Sequence, residues 1–144
     1  MGAAREYLLR LDLHRFSTPD ADTYRVVLDQ VTAELQEAMP RAGGSWGVAR
    51  KILNIFIRDA SYHVALNEAY RLAAPQRWME MPLDSLTATG LKRAVGRGRL
   101  PQWPGVKHLD PTLSDRFQAA AAVVAEEKDL MRVDLDVIWW GLRR

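Results

Sequence analysis

The segment from residue 43 to residue 72 constrains the fold of this chain most strongly. A glycine-rich stretch leads into a pattern in which apolar side chains recur three and four positions apart. This spacing predicts a helix over about residues 47–72 that is buried on most of its sides. Its apolar face is formed by Val48, Ile52, Ile55, Tyr62 and Leu66, and its narrow polar side carries Arg50, Asn54, Arg58 and Ser61.

Capping residues and apolar spacing indicate three further helices. The first is predicted to begin at Thr18 and Pro19, because threonine caps helices and proline suits their first position. The second begins at Asp84 and is broken at Gly96, and the third follows a capping-box pattern over residues 112–115. We therefore expect a mainly all-α, single-domain helical bundle over residues 1–144.

The two ends of the chain leave an alternative open. Residues 7–16 and residues 131–137 alternate between apolar and polar side chains, which is the period of a strand. The two segments would pair as a small β-ribbon. A short helix is the competing interpretation of the first segment, and a helix capped by Asp134 or Asp136 is the competing interpretation of the second.

Composition excludes several classes of protein. The chain has no cysteine, which excludes disulfide frameworks and cysteine-based sites. Its longest apolar run, residues 119–125, is too short to span a bilayer, and charged residues interrupt any signal-peptide core. The three histidines lack metal-ligand spacing, and no Walker loop, serine elbow or dinucleotide fingerprint occurs. We expect a cytoplasmic protein without metal, cofactor or membrane contact.

The charges are distributed unevenly. Residues 41–108 hold eleven Arg and Lys against four acidic residues, a net charge of +7, whereas residues 1–40 carry −3 and residues 109–144 carry −2. From Lys92 to Lys107 there are five basic residues and no acidic one. A basic middle third is typical of a surface that faces nucleic acid, although a solvated arginine-rich surface is the alternative.

Three positions offer chemistry. Lys51 is predicted to lie near a helix start, where the exposed N–H groups favour phosphate and disfavour the protonated form of a lysine. Asp84 is predicted to cap the next helix. Asp136 and Trp140 are four positions apart, so their side chains share one side in either a helix or a strand.

Together these residues resemble the helix-hairpin-helix DNA glycosylase superfamily. Residues 47–51 are similar to its phosphate-binding turn, with Lys51 at the position of the catalytic lysine. Residues 81–84 resemble the segment that supplies the catalytic aspartate, here Asp84. The interval between them, and the Leu-Asp-x-x-x-Trp pattern of residues 135–140, are most similar to archaeal 8-oxoguanine DNA glycosylases. The similarity covers residues 46–140.

The resemblance implies a DNA-repair enzyme, a base-excision glycosylase and lyase that removes an oxidised purine and is associated with the nucleoid. Lys51 would form a Schiff base with the sugar, Asp84 would activate it, and Asp136 and Trp140 would hold the extruded base. Damaged duplex DNA would be the partner, and a protein partner is considered for the part of the base pocket that residues 1–40 do not match. The proposed contacts to the DNA backbone are Gly47, Arg50, Arg97, Arg99 and Lys107. A non-catalytic helical module that binds nucleic acid or a protein is the alternative.

Overall fold

The computed structural model describes residues 2–142, and these residues form seven α-helices without any strand. The helices are α1 (Gly2–Arg10), α2 (Ala21–Ala38), α3 (Trp46–Tyr62), α4 (Val64–Tyr70), α5 (Ser85–Val95), α6 (Pro111–Glu127) and α7 (Leu135–Gly141). Short 3₁₀ turns lie at Leu13–Phe16, Pro75–Trp78, Val106–His108 and Arg132–Asp134. The predicted all-α, single-domain fold is confirmed.

Polar caps determine where the long helices begin. Asp20, Ser45, Asp84 and Asp110 each precede a helix and accept a hydrogen bond from the backbone N–H three residues further on. The predicted start of α2 at Thr18 is therefore wrong by two residues. The predicted capping box over residues 112–115 is also wrong, because the Asp110 carboxylate followed by a proline forms the cap instead.

The buried apolar side chains form two cores. The first lies between α1, α2 and α3 and includes Leu28, Leu53 and Ile57. The second lies between α5, α6 and α7 and includes Leu91 and Phe117. The irregular segment of residues 79–84 runs between the two cores and leads directly into α5, which places the start of α5 beside α3.

Hydrogen bonds hold this irregular segment in place. The Gln118 side chain of α6 accepts from the Met81 backbone N–H at 3.1 Å and donates to the Met81 carbonyl at 2.7 Å. Buried backbone groups outside regular structure need such partners, since leaving them unpaired costs about 1–3 kcal/mol each. The position of Asp84, three residues further on, is therefore fixed by side chains of a neighbouring helix.

A buried ion pair joins the segment to α3. The Arg50 guanidinium donates two hydrogen bonds of 2.9 Å to the Glu80 carboxylate, and both side chains are at least 97% buried. It also donates to Asp29 and Thr32 of α2. Burial alone would raise the pKa of Glu80, but the hydrogen bonds and charge of Arg50 lower it below its ordinary value. Glu80 therefore stays ionised and holds α3 against the segment that carries Asp84.

The predicted polar side of α3 lies in the interior. Arg50, Asn54 and Ser61 are buried, and the side chain of Arg58 is only 14% exposed. Ile52 and Ile55 are only partly buried, and Tyr62 is exposed. The prediction that the apolar face is the most buried one is wrong, because Arg50, Asn54 and Arg58 meet charged partners on other elements.

The helix predicted over residues 47–72 is interrupted. α3 ends at Tyr62 and α4 begins at Val64, with His63 between them. His63 has extended backbone angles, and its side-chain Nδ1 accepts from the Leu66 N–H at 3.4 Å, so it caps the second helix. The apolar spacing continues through the break, and for that reason the pattern predicts one helix instead of two.

The predicted β-ribbon is wrong. Residues 7–10 belong to α1, and Leu13–Phe16 form a 3₁₀ turn that buries Leu13 and Phe16 in the first core. At the other end, the competing helical interpretation is confirmed by α7. Asp134 precedes α7 but makes no side-chain cap bond; it accepts a hydrogen bond from the Tyr62 hydroxyl instead.

Candidate active site

Lys51 lies in the second turn of α3. Ser45 caps the helix and Trp46 is its first residue, so Lys51 is the sixth residue. The prediction that Lys51 lies in the first turn is therefore wrong. The free N–H groups of a helix start belong to its first turn, and one of them, that of Val48, is taken by the Ser45 hydroxyl. The environment of the Lys51 amine is therefore set by side chains and not by the helix terminus.

The Lys51 amine forms an ion pair with the carboxylate of Asp84. The Lys51 Nζ lies 3.5 Å from the Asp84 Oδ2, and the two side chains are 31% and 18% exposed. The other carboxylate oxygen, Oδ1, accepts from the Thr87 backbone N–H at 2.9 Å as the cap of α5. Asp84 thus performs two tasks with separate oxygens, and the oxygen that faces Lys51 is not used in the cap.

Asp136 approaches the same place from the start of α7. One carboxylate oxygen is ion-paired with the Arg58 guanidinium of α3, while the other, Oδ1, is buried and has no hydrogen-bond partner among residues 2–142. Burial raises the pKa of Asp136 above its ordinary value, and the Arg58 guanidinium opposes this shift only in part. The site therefore contains a desolvated acceptor atom that lacks a donor.

Lys51, Asp84, Asp136 and Trp140 line one cavity of about 300 Å³. Trp140 is 50% exposed and lies at its rim. Such a volume is at the small end of ligand pockets, which run from about 300 to 1,000 Å³. Lys51 and Asp84 are 33 positions apart in sequence, and the structure brings them to the same cavity as Asp136 and Trp140.

Arg58 is the residue of this cavity that sequence reasoning missed. It lines the cavity together with Ile55, Pro82 and Val137. A signal was present, because Lys51, Ile55 and Arg58 follow one another at intervals of four and three and so share one face of a helix. Because its partner Asp136 lies 78 positions away in sequence, the sequence alone predicts an ordinary solvated arginine at position 58.

Two of the predicted backbone-contacting residues are not available to DNA. Arg50 is 2% exposed and is occupied by Glu80 and Asp29, so it cannot reach a phosphate. Gly47 is buried as well, and an added Cβ would lie 2.1 Å from the Val106 carbonyl oxygen. Glycine is needed there because α3 packs closely against the Val106–His108 turn, and this contact leaves no room for a phosphate.

The other three predicted contacts lie at the surface. Arg97, Arg99 and Lys107 are exposed. Arg97 lies just beyond the end of α5, and Lys107 belongs to the turn that covers the start of α3. All three are therefore free to meet a large anionic partner.

No metal site is evident in the part of the chain that the structure describes, since it holds no group of three or more suitably placed His, Asp or Glu side chains. None of the helices within residues 2–142 is long and apolar enough to cross a membrane.

Comparisons with known proteins return no relative: no family model, curated protein or solved structure matches the chain. The interpretation of the site therefore rests on its own residues and geometry.

Proposed function

We propose that this protein is a DNA glycosylase and AP lyase, with Lys51 as its nucleophile and Asp84 as the group that accepts the lysine proton. The observation that supports it best is the 3.5 Å separation of the Lys51 Nζ and the Asp84 Oδ2 at a cavity that Asp136 and Trp140 also line. In this proposal the protein works on damaged duplex DNA at the nucleoid.

The reaction begins with a nucleotide that has left the duplex, because an enzyme cannot reach the glycosidic bond of a stacked base. Asp84 takes a proton from Lys51, and the neutral amine attacks the sugar C1′. The bond between C1′ and the base breaks, and the base leaves with the bonding electrons and takes up a proton. Opening of the sugar ring then gives an imine between Nζ and C1′, and loss of a C2′ proton expels the 3′ phosphate.

The distance between the two groups suits this role once substrate is present. A general base acts at about 2.6–3.2 Å from the atom it deprotonates, and such contacts commonly tighten only in the substrate complex. The amine and the carboxylate at 3.5 Å need to approach by only a few tenths of an ångström. The Lys51 side chain is free to do so, because its flexible stem is partly exposed.

The unpartnered Oδ1 of Asp136 supports an oxidised purine as the base. Guanine presents N7 as an acceptor, which a carboxylate oxygen would repel. Oxidation at C8 places a hydrogen on N7, and that N–H can donate to the Oδ1 of Asp136. Trp140, which is 50% exposed and lines the same cavity, would stack on the extruded base. A protein partner or the DNA itself would close the remaining side of this small cavity.

Borohydride trapping on a panel of lesion-bearing duplexes tests the proposal, because the reagent reduces the imine to a stable covalent adduct. The wild-type protein should become linked to duplexes with 8-oxoguanine or an abasic site and not to undamaged DNA. Lys51→Ala should abolish the adduct. Lys51→Arg is the matched control, since it keeps the positive charge but cannot form an imine under these conditions.

The opposite result has a definite meaning. Wild-type protein that binds these duplexes and never becomes trapped on any of them is a non-catalytic nucleic-acid-binding module, and the Lys51–Asp84 contact is then an ordinary ion pair worth at most about 1 kcal/mol.

A further inference from the structure

A basic groove runs along α5, away from the candidate active site. One cavity of about 720 Å³ is lined by Gly90 and Arg93 of α5 together with Lys128 and Trp139, and a second of about 460 Å³ follows at the end of α5. Thr89 and Arg93 line both, so the two cavities are neighbours. We name the pair the α5 groove; its principal residues are Gly90, Lys92, Arg93, Arg97, Lys128 and Trp139.

The groove begins where the candidate active site ends. Ser85 lines the groove and its chain neighbour Asp84 lines the active-site cavity. In the same way, Trp139 lines the groove and Trp140 the active-site cavity. The groove therefore adjoins the candidate active site at two pairs of chain neighbours, and from there it follows α5 as far as Arg97.

The groove is lined by one sign of charge. Lys92, Arg93, Arg97 and Lys128 line its two cavities, and no aspartate or glutamate does. None of these four side chains forms an ion pair with another residue among 2–142, whereas Arg50 and Arg58 of α3 are both paired. Unpaired cations that line a concave surface attract anions, because the concave shape concentrates their field.

Helix stabilisation explains only part of this arrangement. Lys92 and Arg93 lie in the last turn of α5, where basic side chains favour the negative end of the helix dipole. Arg97 lies beyond the helix, however, and Lys128 belongs to the end of α6. The Lys128 side chain also lies at a helix C-terminus, so the dipole accounts for where the cations lie along α5 and α6. It does not account for the meeting of the two helix ends at one groove.

The groove also contains an aromatic wall. Trp139 packs against α5 so closely that a Cβ added to Gly90 would lie 2.7 Å from its indole ring. This contact fixes the ring while leaving the residue partly exposed to the groove. A fixed indole gives the basic groove one rigid wall, against which a DNA strand can lie while the cations contact its phosphates.

We propose that the α5 groove binds the DNA strand that flanks the excised nucleotide, on one side only. The inference builds on the proposed function, because it takes the Lys51 end as the reaction centre. Nine residues of helix separate Asp84 from Arg93, which is about 13 Å at 1.5 Å per residue. At 3.4 Å per nucleotide of one strand this distance corresponds to about four nucleotides. The substrate must therefore extend about four nucleotides from the lesion along the groove.

Fluorescence anisotropy with a labelled duplex that carries a stable abasic-site analogue tests this groove. Arg93→Glu and Lys128→Glu should each weaken binding about tenfold or more at moderate salt and reduce the slope of log K against log salt by about one per lost phosphate contact. Arg5→Glu, a charge reversal on the exposed surface of α1, is the matched control and should change binding much less. Circular dichroism melting checks that each variant folds; Arg97→Glu replaces any that does not.

One-sided truncation of the duplex tests the direction. Shortening the flank on one side of the analogue from about six to one nucleotide should weaken binding strongly, and shortening the other side should not. In Arg93→Glu the two truncations should differ far less than in the wild type.

The outcomes separate this inference from the proposed function. Absence of borohydride trapping together with selective loss of DNA binding in Arg93→Glu would remove the enzyme and keep the groove. Normal trapping and normal DNA affinity in both Arg93→Glu and Lys128→Glu would overturn the groove. Polyglutamate is the second probe. If it binds the wild type as tightly as DNA of equal charge, and if Arg93→Glu no longer binds it, the groove belongs to an acidic polypeptide and the inference is overturned.

Discussion

Asp84 offers the sharpest test of the site, because its two carboxylate oxygens are proposed to have different tasks. Oδ1 caps α5 through a 2.9 Å bond from the Thr87 N–H, and Oδ2 faces the Lys51 amine. Asparagine caps helices about as well as aspartate but cannot accept a proton. Asp84→Asn should therefore keep the stability and lose the reaction, whereas Asp84→Ala should lose the reaction together with part of the stability.

The magnitudes follow from these contacts. Loss of an N-cap costs about 1 kcal/mol, and loss of the partly exposed ion pair adds less than about 1 kcal/mol. Asp84→Ala should therefore lower the melting temperature by roughly 4 °C, and Asp84→Asn by much less. Removal of a general base lowers the rate by about 10²–10⁴-fold. Both variants should show this loss in single-turnover strand cleavage.

Asp110 supplies the matched control. It caps α6 through a 2.8 Å bond to the Leu113 N–H and is exposed, and it does not line the candidate cavity. Asp110→Ala should be destabilised about as much as Asp84→Ala while retaining the wild-type cleavage rate. Strand cleavage by Asp84→Asn at the wild-type rate would refute the reasoning and leave Asp84 as a helix cap alone.

Three further outcomes are expected. Gly47→Ala should lower the free energy of unfolding by roughly 1–3 kcal/mol in urea titrations, because the added methyl group meets the Val106 carbonyl oxygen. Arg50→Met should cost up to about 3–5 kcal/mol because it removes the main partner of the buried Glu80 carboxylate and leaves only the Asn54 amide and the more distant Arg25 guanidinium. The double variant with Glu80→Met should recover part of that loss in the same titration. The hydrogen bonds from Arg15 and Tyr7 lower the pKa of Glu34 to about 2, so the stability that they provide is complete above its ordinary value of 4.5 and is lost as the pH falls from there towards 2. The free energy of unfolding, measured in urea, should therefore fall between pH 6 and pH 3. Because Glu34 is 45% exposed, this fall should be only about 1 kcal/mol smaller in Glu34→Gln than in the wild type.

The helices of this protein could be predicted from local patterns because their signals are local. The side chains of Tyr24, Leu28, Val31 and Leu35 recur at helical spacing and are buried in α2 as the spacing predicts. Asp84 is found as the cap of α5, and Gly96 follows the last residue of that helix. Each of these features depends on residues within one or two turns of one another.

The burial of the polar side of α3 could not be predicted in this way. Arg50 is buried because Glu80, thirty positions away, supplies a matching carboxylate, and Arg58 is shielded because Asp136 meets it from α7. A charged residue viewed without its partner is expected at the surface. The alternating pattern at the chain ends misled for a related reason, since alternation favours a strand only when another strand is present to pair with it.

The candidate site, too, could be predicted only where its residues are close in sequence. Spacing alone predicts that Asp136 and Trp140 share one side, and the structure places both at one cavity. The approach of Lys51 to Asp84 cannot be obtained from periodicity, because it depends on how residues 79–84 are held between the two cores. The resemblance to DNA glycosylases, in contrast, predicts that these two residues lie together.

Mass spectrometry of the borohydride-reduced protein–DNA adduct tests the central claim most directly. After digestion of the DNA and the protein, the account predicts a reduced sugar remnant on the peptide that contains Lys51, and its absence in Lys51→Arg and Lys51→Ala. A remnant attached to another lysine or to the N-terminus, or no adduct on any lesion-bearing duplex, would contradict the account.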